Sequence, residues 1–262
     1  MRHGTPVRHL VREGDRVRVV TQGGDLVARR VVVAVGAWSA GLLGPLLAGP
    51  PSPGPAGLPL VVTHEQPAHF VVRDPATEGT WPSFTHDPGP DAGWPSGVYG
   101  LATPGEGVKV GFHGVGPVTD PDRRSYLPEP GQLTALRDYV RTWLPGLDPD
   151  HLVPVSCTYT TTPDHDFVLD RHGPLVVGAG FSGHGFKFAT AVGRVLADLA
   201  TDDGAATAAR FALHRFAAPS HPVRSGSGAS HPVTSHPVTS HPAAPRLPAQ
   251  RPVTAPTPRS PS

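Results

Sequence analysis

The sequence predicts a fold that mixes α/β and α+β character, with a largely antiparallel sheet in its middle. Three patterns predict it. The apolar run Leu175-Val176-Val177 leads into a glycine-rich turn and then a helix to about Leu199, the order of an α/β unit. Residues 98–101 and 108–113 flank the turn Thr103-Pro104-Gly105-Glu106-Gly107 and read as a hairpin. Leu133, Leu136, Val140 and Leu144 recur at spacings of three and four, which predicts an amphipathic helix over 129–144, ended by Pro145-Gly146.

The other elements follow in chain order. VRHLV and RVRVV, on either side of Glu13-Gly14-Asp15, read as a hairpin between residues 7 and 20. Gln22-Gly23-Gly24-Asp25 is a second turn, and the run 31–35 after Arg29-Arg30 reads as a buried strand. Gly36-Ala37-Trp38-Ser39 precedes a short helix over 40–47, and the Pro/Gly-rich stretch 49–57 is a loop. Residues 58–72 read as strand, with Pro67 marking an edge or bulge. Segment 73–97 is rich in Pro, Gly and Asp. Residues 153–161 and 166–170 read as strands. From 218 to 262 the chain is a Pro/Ser/His-rich tail with Ser-His-Pro-Val-Thr at 230–234 and 235–239 and a third copy begun at Ser240. Its apolar content is too low to offset the entropy of ordering, so disorder is expected. The repeated histidines on such a chain form no preorganised metal site.

Composition excludes several classes. The formal net charge is +1 over 262 residues, with 16% charged, so no strong field draws the chain to nucleic acid or an acidic membrane. No apolar run is long enough to span a bilayer, the first residues lack the apolar core of a signal peptide, and one cysteine excludes an internal disulfide framework. A cytoplasmic protein is the expectation. Of the basic residues only Lys109 and Lys187 are lysines; the rest are arginines. Where arginine serves almost everywhere, a retained lysine suggests a site that needs a compact ammonium on a flexible stem. Chance is the alternative with two residues.

Gly178-Ala179-Gly180-Phe181-Ser182-Gly183 matches G-x-G-x-x-G between strand and helix. A dinucleotide fingerprint needs a further strand ending in an acidic residue, and none is predicted here. What remains is a glycine turn at the start of a helix, whose N–H groups suit partial negative charge. His184 and Lys187 follow on that predicted helix, among three glycines and three phenylalanines, an arrangement suited to packing on something flat and apolar. Their bland readings are an exposed helix-start residue and a solvated lysine. Cys157, the lone cysteine, is an inert buried thiol in its bland reading; a Cys–His hydrolase pairing with His184 lacks a third orienting residue.

Taken together, GAWSAGLL at 36–43, Val108-Lys109-Val110-Gly111-Phe112-His113, Asp120-Pro121-Asp122, CTYTTTPDHDFVLD at 157–170 and GFSGHGFKF at 180–188 resemble the monomeric sarcosine oxidase and N-methyl-tryptophan oxidase family, in the same order and over residues 5–216. The resemblance implies a FAD-dependent oxidase of N-methyl amino acids with O2 as acceptor, acting as a monomer. It implies covalent attachment of FAD through Cys157, O2 activation by Lys109, and binding of the substrate carboxylate by Lys187. It puts His113 and Tyr99 in the substrate cavity, and Gly36, Ala37, Trp38, Gly180, Gly183, His184 and Gly185 beside the cofactor. It divides the chain into part of a FAD-binding domain (1–57 and 171–217) and a substrate domain (58–170). The family's first strand and glycine turn, which grip the ADP of FAD, are not in this sequence, so Met1 falls at a mid-protein hairpin. Where many members have Arg-Gln, this chain has Glu65-Gln66. The alternative is a non-catalytic fragment unable to hold FAD alone.

Overall fold

A computed structural model describes residues 1–47 and 58–216. The predicted loop 49–57 and the predicted disordered tail 218–262 lie outside the described residues.

The chain opens with strands β1 (Val7–Glu13) and β2 (Arg16–Thr21), the predicted hairpin. A third strand, β3 (Leu26–Ala28), was not predicted; it joins them in an antiparallel sheet ordered β1-β2-β3. Strand β4 (Val31–Val33) is shorter than the predicted 31–35, and only Val33 is buried. A single 3-10 turn at Gly36–Trp38 leads into helix α1 (Ser39–Leu47).

The predicted strand over 58–72 is two strands, β5 (Val61–Glu65) and β6 (Ala68–Val72). The break falls at Gln66-Pro67, because Pro67 has no N–H to continue a ladder. It sends the chain from one sheet to another. A short β7 (Phe84–His86) lies within the Pro/Gly-rich segment, and β8 (Val98–Thr103) and β9 (Gly107–Phe112) form the predicted hairpin. Helix α2 (Pro130–Trp143) starts where Glu129 accepts the backbone N–H groups of Gly131 and Gln132, with Pro130 in the first turn. The predicted strand 153–161 is again two, β10 (Leu147–Pro154) and β11 (Cys157–Thr161), followed by β12 (Val168–His172) and β13 (Leu175–Ala179).

The five-stranded sheet β10-β6-β9-β8-β7 is antiparallel throughout. Successive side chains of a strand point to opposite faces. One face offers Ala68, Phe70, Val98, Val108, Val110 and Phe112 to Leu136, Tyr139 and Val140 of α2, all buried. The other carries His69, Val71, Tyr99, Leu101, Lys109 and Val153. Val71, Leu101 and Val153 on that side are exposed while His69 is buried, so that face is only partly covered. Separately, β13 pairs antiparallel with β12 and parallel with β4. Every residue of β13 is buried, as a strand covered on both sides requires. Leu175, Val177 and Ala179 meet Leu10, Val17 and Leu43, while Val176 meets Leu196 and Leu199 of helix α3 (Ala189–Thr201). The α/β and α+β parts are thus both present, as predicted.

Helix α3 ends against two arginines. Arg30 donates to Ala200 O at 3.1 Å, and Arg171 donates to Leu199 O at 3.1 Å and Asp202 O at 2.8 Å. Cations there satisfy the last carbonyls and oppose the helix dipole. The segment after α3 is held back by Arg215, whose Nε lies 2.7 Å from Asp164, and by Arg210 on Asp166 at 2.6 Å. The Arg215 guanidinium lowers the Asp164 carboxyl from 3.8 to about 2. A depressed carboxyl contributes stability above its ordinary pKa and loses it as pH falls through the folded value. The stability difference between the wild type and Arg215→Met should therefore shrink as pH falls from about 4 to about 2. Urea denaturation across that range checks it; a difference independent of pH would sink the assignment.

Candidate functional site

The site is built around β11, which pairs antiparallel with β5 and carries Cys157 and Tyr159 on alternate residues. Cys157 is partly buried and stands opposite Glu65. Tyr159 is buried, and its hydroxyl lies 3.3 Å from His113 Nδ1, with the two rings 5.2 Å apart. Tyr99 and Tyr159 each act on the other's pKa. Tyr159 and His113 form a contact pair on the strand that carries the thiol. Tyr99 comes from β8, where it faces Gly111; a side chain at Gly111 would meet the Tyr99 hydroxyl.

The electrostatics follow from burial. Tyr99 and Tyr159 both have raised pKa values, chiefly because burial penalises the phenolate. His113 is an exposed residue, yet partial burial of its ring is the largest cause holding its pKa below 6.5. Glu65 opposes that, while His184, His165 and Lys187 add to it. His113 is therefore neutral near pH 7 and able to accept a proton.

Two glycine turns back onto β11. The 3-10 turn Gly36–Trp38 packs against it, with Gly36 at φ 54°. Gly180 and Gly183 also take positive φ, and a Cβ at Gly183 would fall within the Tyr159 ring. Between them Ser182, a non-glycine at φ 49°, is buried, and its backbone N–H donates to Thr160 O at 3.0 Å. A left-handed serine is uncommon and costs energy that the surrounding contacts must hold. Trp38 Nε1 donates to Asp122 at 2.7 Å, which joins two motifs far apart in sequence.

The predicted helix start at Gly183 is a correction. Helix α3 begins at Ala189, after a 3-10 turn at Phe186–Phe188. The N–H groups of Ser182 and His184 are already donated, to Thr160 O and Phe181 O, so the glycine turn is a packed connection rather than a helix N-terminus. Gly180, Gly183 and the left-handed Ser182 let the chain reverse tightly on Tyr159 before it can adopt helical angles.

Not every predicted residue enters the chain of contacts around Tyr159. Lys109 is half-buried on the partly covered sheet face, across from His69 and Leu101, and two residues along from Gly111. Lys187 is exposed and its Nζ donates to His184 O at 3.1 Å. His184 and Lys187 line an apolar cleft of about 500 Å³ with Phe167, Phe188 and Phe211. Phe186, Phe188 and Trp38 are exposed around these turns. Tyr159 and Ser182 were not singled out from the sequence. The x in C-x-Y is a signal for Tyr159, since alternate residues share a face; nothing local marked Ser182.

These features suit the ring end of a flavin. Glycine turns bring bare backbone to both sides of a strand that offers one thiol, and uncovered aromatic rings flank them. The ADP end is not matched: among the described residues no strand follows α3.

A parallel strand pair running into a glycine turn, next to a one-sided antiparallel sheet bearing histidine, tyrosine and lysine, defines a flavin-type oxidoreductase architecture. The chain belongs to the FAD dependent oxidoreductase family, whose model matches residues 1–199. It is similar to monomeric sarcosine oxidase of Bacillus sp. (strain NS-129), 34% identical over 204 residues, covering 75% of this chain and 50% of that protein. It is also similar to human peroxisomal sarcosine oxidase, 34% identical over 72% of this chain and 50% of the relative. N-methyl-L-tryptophan oxidase of Citrobacter koseri is 28% identical over 80% and 54%. Among solved structures, NikD, described as an unusual amino acid oxidase essential for nikkomycin biosynthesis, superposes with a TM-score of 0.63 at 28% identity, over 80% of this chain and 54% of that one. The chain spans about half the length of the curated relatives it matches. Among the described residues no helix is long and apolar enough to cross a membrane.

Gly183→Ala tests the packing of the turn. A methyl there adds left-handed strain and must displace the Tyr159 ring, so it should cost on the order of 1–3 kcal/mol. Urea denaturation reads the loss, and a variant as stable as the wild type would remove the turn from this role.

Proposed function

We propose that this chain carries the substrate-facing part of a FAD-dependent oxidase of secondary, N-methyl amino acids with O2 as acceptor. The observation that carries the reading is the grouping of the lone thiol with the buried Tyr159, a neutral histidine and two glycine turns around β11. The names of the relatives, sarcosine and N-methyl-L-tryptophan oxidases, support the substrate class.

When bound, FAD accepts two electrons from the N-methyl group and passes them to O2, so that amine, O2 and water give the demethylated amine, formaldehyde and H2O2. The protein supplies attachment, charge and orientation. Cys157 would hold the cofactor through its sulfur. Gly36, Ala37, Trp38, Gly180, Gly183, His184 and Gly185 would border it with backbone and rings. Tyr99 and Tyr159 stay protonated at neutral pH and can donate hydrogen bonds to substrate. His113 can take a proton from an alkylammonium substrate, since only the free amine has the lone pair that assists oxidation. Lys109 would favour the negative charge that develops as O2 is reduced. Lys187 keeps two ammonium protons beyond the one given to His184 O, and would turn them to the substrate carboxylate. In this reading residues 58–170 form the substrate domain, 1–57 and 171–217 belong to the cofactor domain, and the protein is a cytoplasmic monomer.

Two measurements test this. The chain incubated with FAD should retain yellow flavin through acid precipitation, and Cys157→Ser should abolish that retention. A wild-type chain that takes up no flavin favours the non-catalytic fragment, and retention by Cys157→Ser removes the thiol from attachment. In flavin-loaded protein, Lys109→Met should slow reoxidation by O2 at least tenfold, about 1.4 kcal/mol of barrier, while substrate reduction changes little. Stopped-flow absorbance separates the two half-reactions, and equal slowing of both would exclude the oxygen role.

A further inference from the structure

The loop after β9 folds back over β5 before the chain goes on to α2, and a buried carboxylate lies under it. Glu65 is 1% exposed. Its Oε2 accepts the N–H of Val115 at 3.2 Å and of Gly116 at 3.3 Å; its Oε1 accepts the Thr63 hydroxyl at 2.6 Å and Gly116 N–H at 3.3 Å. Further ties hold the same loop to β5. His64 N donates to Pro117 O at 2.9 Å, and Thr119 N to Val62 O at 2.9 Å. A Cβ at Gly116 would collide with the His64 carbonyl oxygen, so the loop lies directly on the strand.

Three donors thus satisfy the buried carboxylate, with the Gly116 N–H shared between its two oxygens. Its partners are dipoles rather than a cation, and it raises the His113 pKa where His184, His165 and Lys187 lower it. This is also the position where the sequence departs from the Arg-Gln of the family it resembles. His113 heads the strapped loop: its own N–H is donated to Ser96 Oγ at 2.9 Å, and its ring meets Tyr159.

We infer that Glu65 is a positioning residue, whose buried carboxylate straps the loop 113–118 to β5 and thereby holds the His113 ring against Tyr159. This rests on the reading of His113 as a wall of the substrate cavity. The strap has two opposed effects on His113. It keeps the ring packed, which lowers the imidazole pKa, and it places a negative charge nearby, which raises it. The other groups that act on the ring, His184, His165 and Lys187, all lower it, and Tyr159 stays neutral.

The opposed signs make the test decisive. The His113 ring is followed by NMR as a function of pH in the 262-residue chain without flavin. In wild type its midpoint lies below 6.5, with a ring contact to Tyr159. In Glu65→Gln the amide presents an NH2 to N–H donors, the loop lifts, and the midpoint should rise toward 6.5 with loss of that contact. A midpoint that falls further would mean that Glu65 acts through charge alone, and an unchanged one that it does not act on His113; either overturns the proposal. If Glu65→Gln loses its cooperative unfolding transition, Gly116→Ala raises the loop from the other side with the carboxylate intact. The same upward shift is expected, and an unmoved His113 overturns the proposal. None of these readouts uses flavin, so a chain that takes up no FAD while His113 shifts as expected refutes the oxidase reading alone.

Discussion

The arrangement turns on one joint, the buried Glu65-Gln66 followed by Pro67. The proline ends the β5 ladder and the chain passes from the pair with β11 to the five-stranded sheet. Polar side chains at such a crossing must be satisfied, because an unpaired buried group costs about 1–3 kcal/mol. Gln66 uses its amide to reach Val155 O and its carbonyl to accept Glu129 N–H at the start of α2, while Glu65 holds the loop after β9. Two adjacent residues thus tie together two sheets, a helix and the loop that bears His113.

The partly covered face of the five-stranded sheet is the second constraint. Helix α2 buries one face with Leu136, Tyr139 and Val140, and α2 can cover only one side. Period-two alternation then commits Tyr99, Lys109 and His69 together to the other side. A residue bound for that face cannot be moved by one position without being delivered into the core. The same logic explains the glycine opposite Tyr99: a side chain at Gly111 would occupy the space of the tyrosine hydroxyl.

Around the thiol, close approach matters more than hydrogen-bonded repetition. The turn after β13 uses left-handed Gly180, Ser182 and Gly183 to pass under Tyr159, and α3 begins only at Ala189. The helix so displaced is stabilised from its far end, where Arg30 and Arg171 take up its last carbonyls. Two residues of this turn, His184 and Lys187, both lower the His113 pKa.

The sequence by itself determined the fold class and most elements: the β8–β9 hairpin, the amphipathic α2, the all-buried β13, and the family through its spaced motifs. Each is a local pattern whose cause is local, a period, a cap or a turn residue. It also marked Cys157 and the two lysines, because rarity in composition needs no structure to be seen. It could not divide 58–72 or 153–161 into strands of different sheets, because strand-forming residues lie on both sides of each break and the partner strands are remote in sequence. Only the tertiary structure decided that Tyr159 meets His113, that Glu65 faces inward on backbone N–H groups, and that Gly183 lies under a tyrosine ring rather than at a helix start. The reason is physical: those contacts link residues more than twenty apart, and their geometry is set by how two sheets and a loop pack, which no local period encodes.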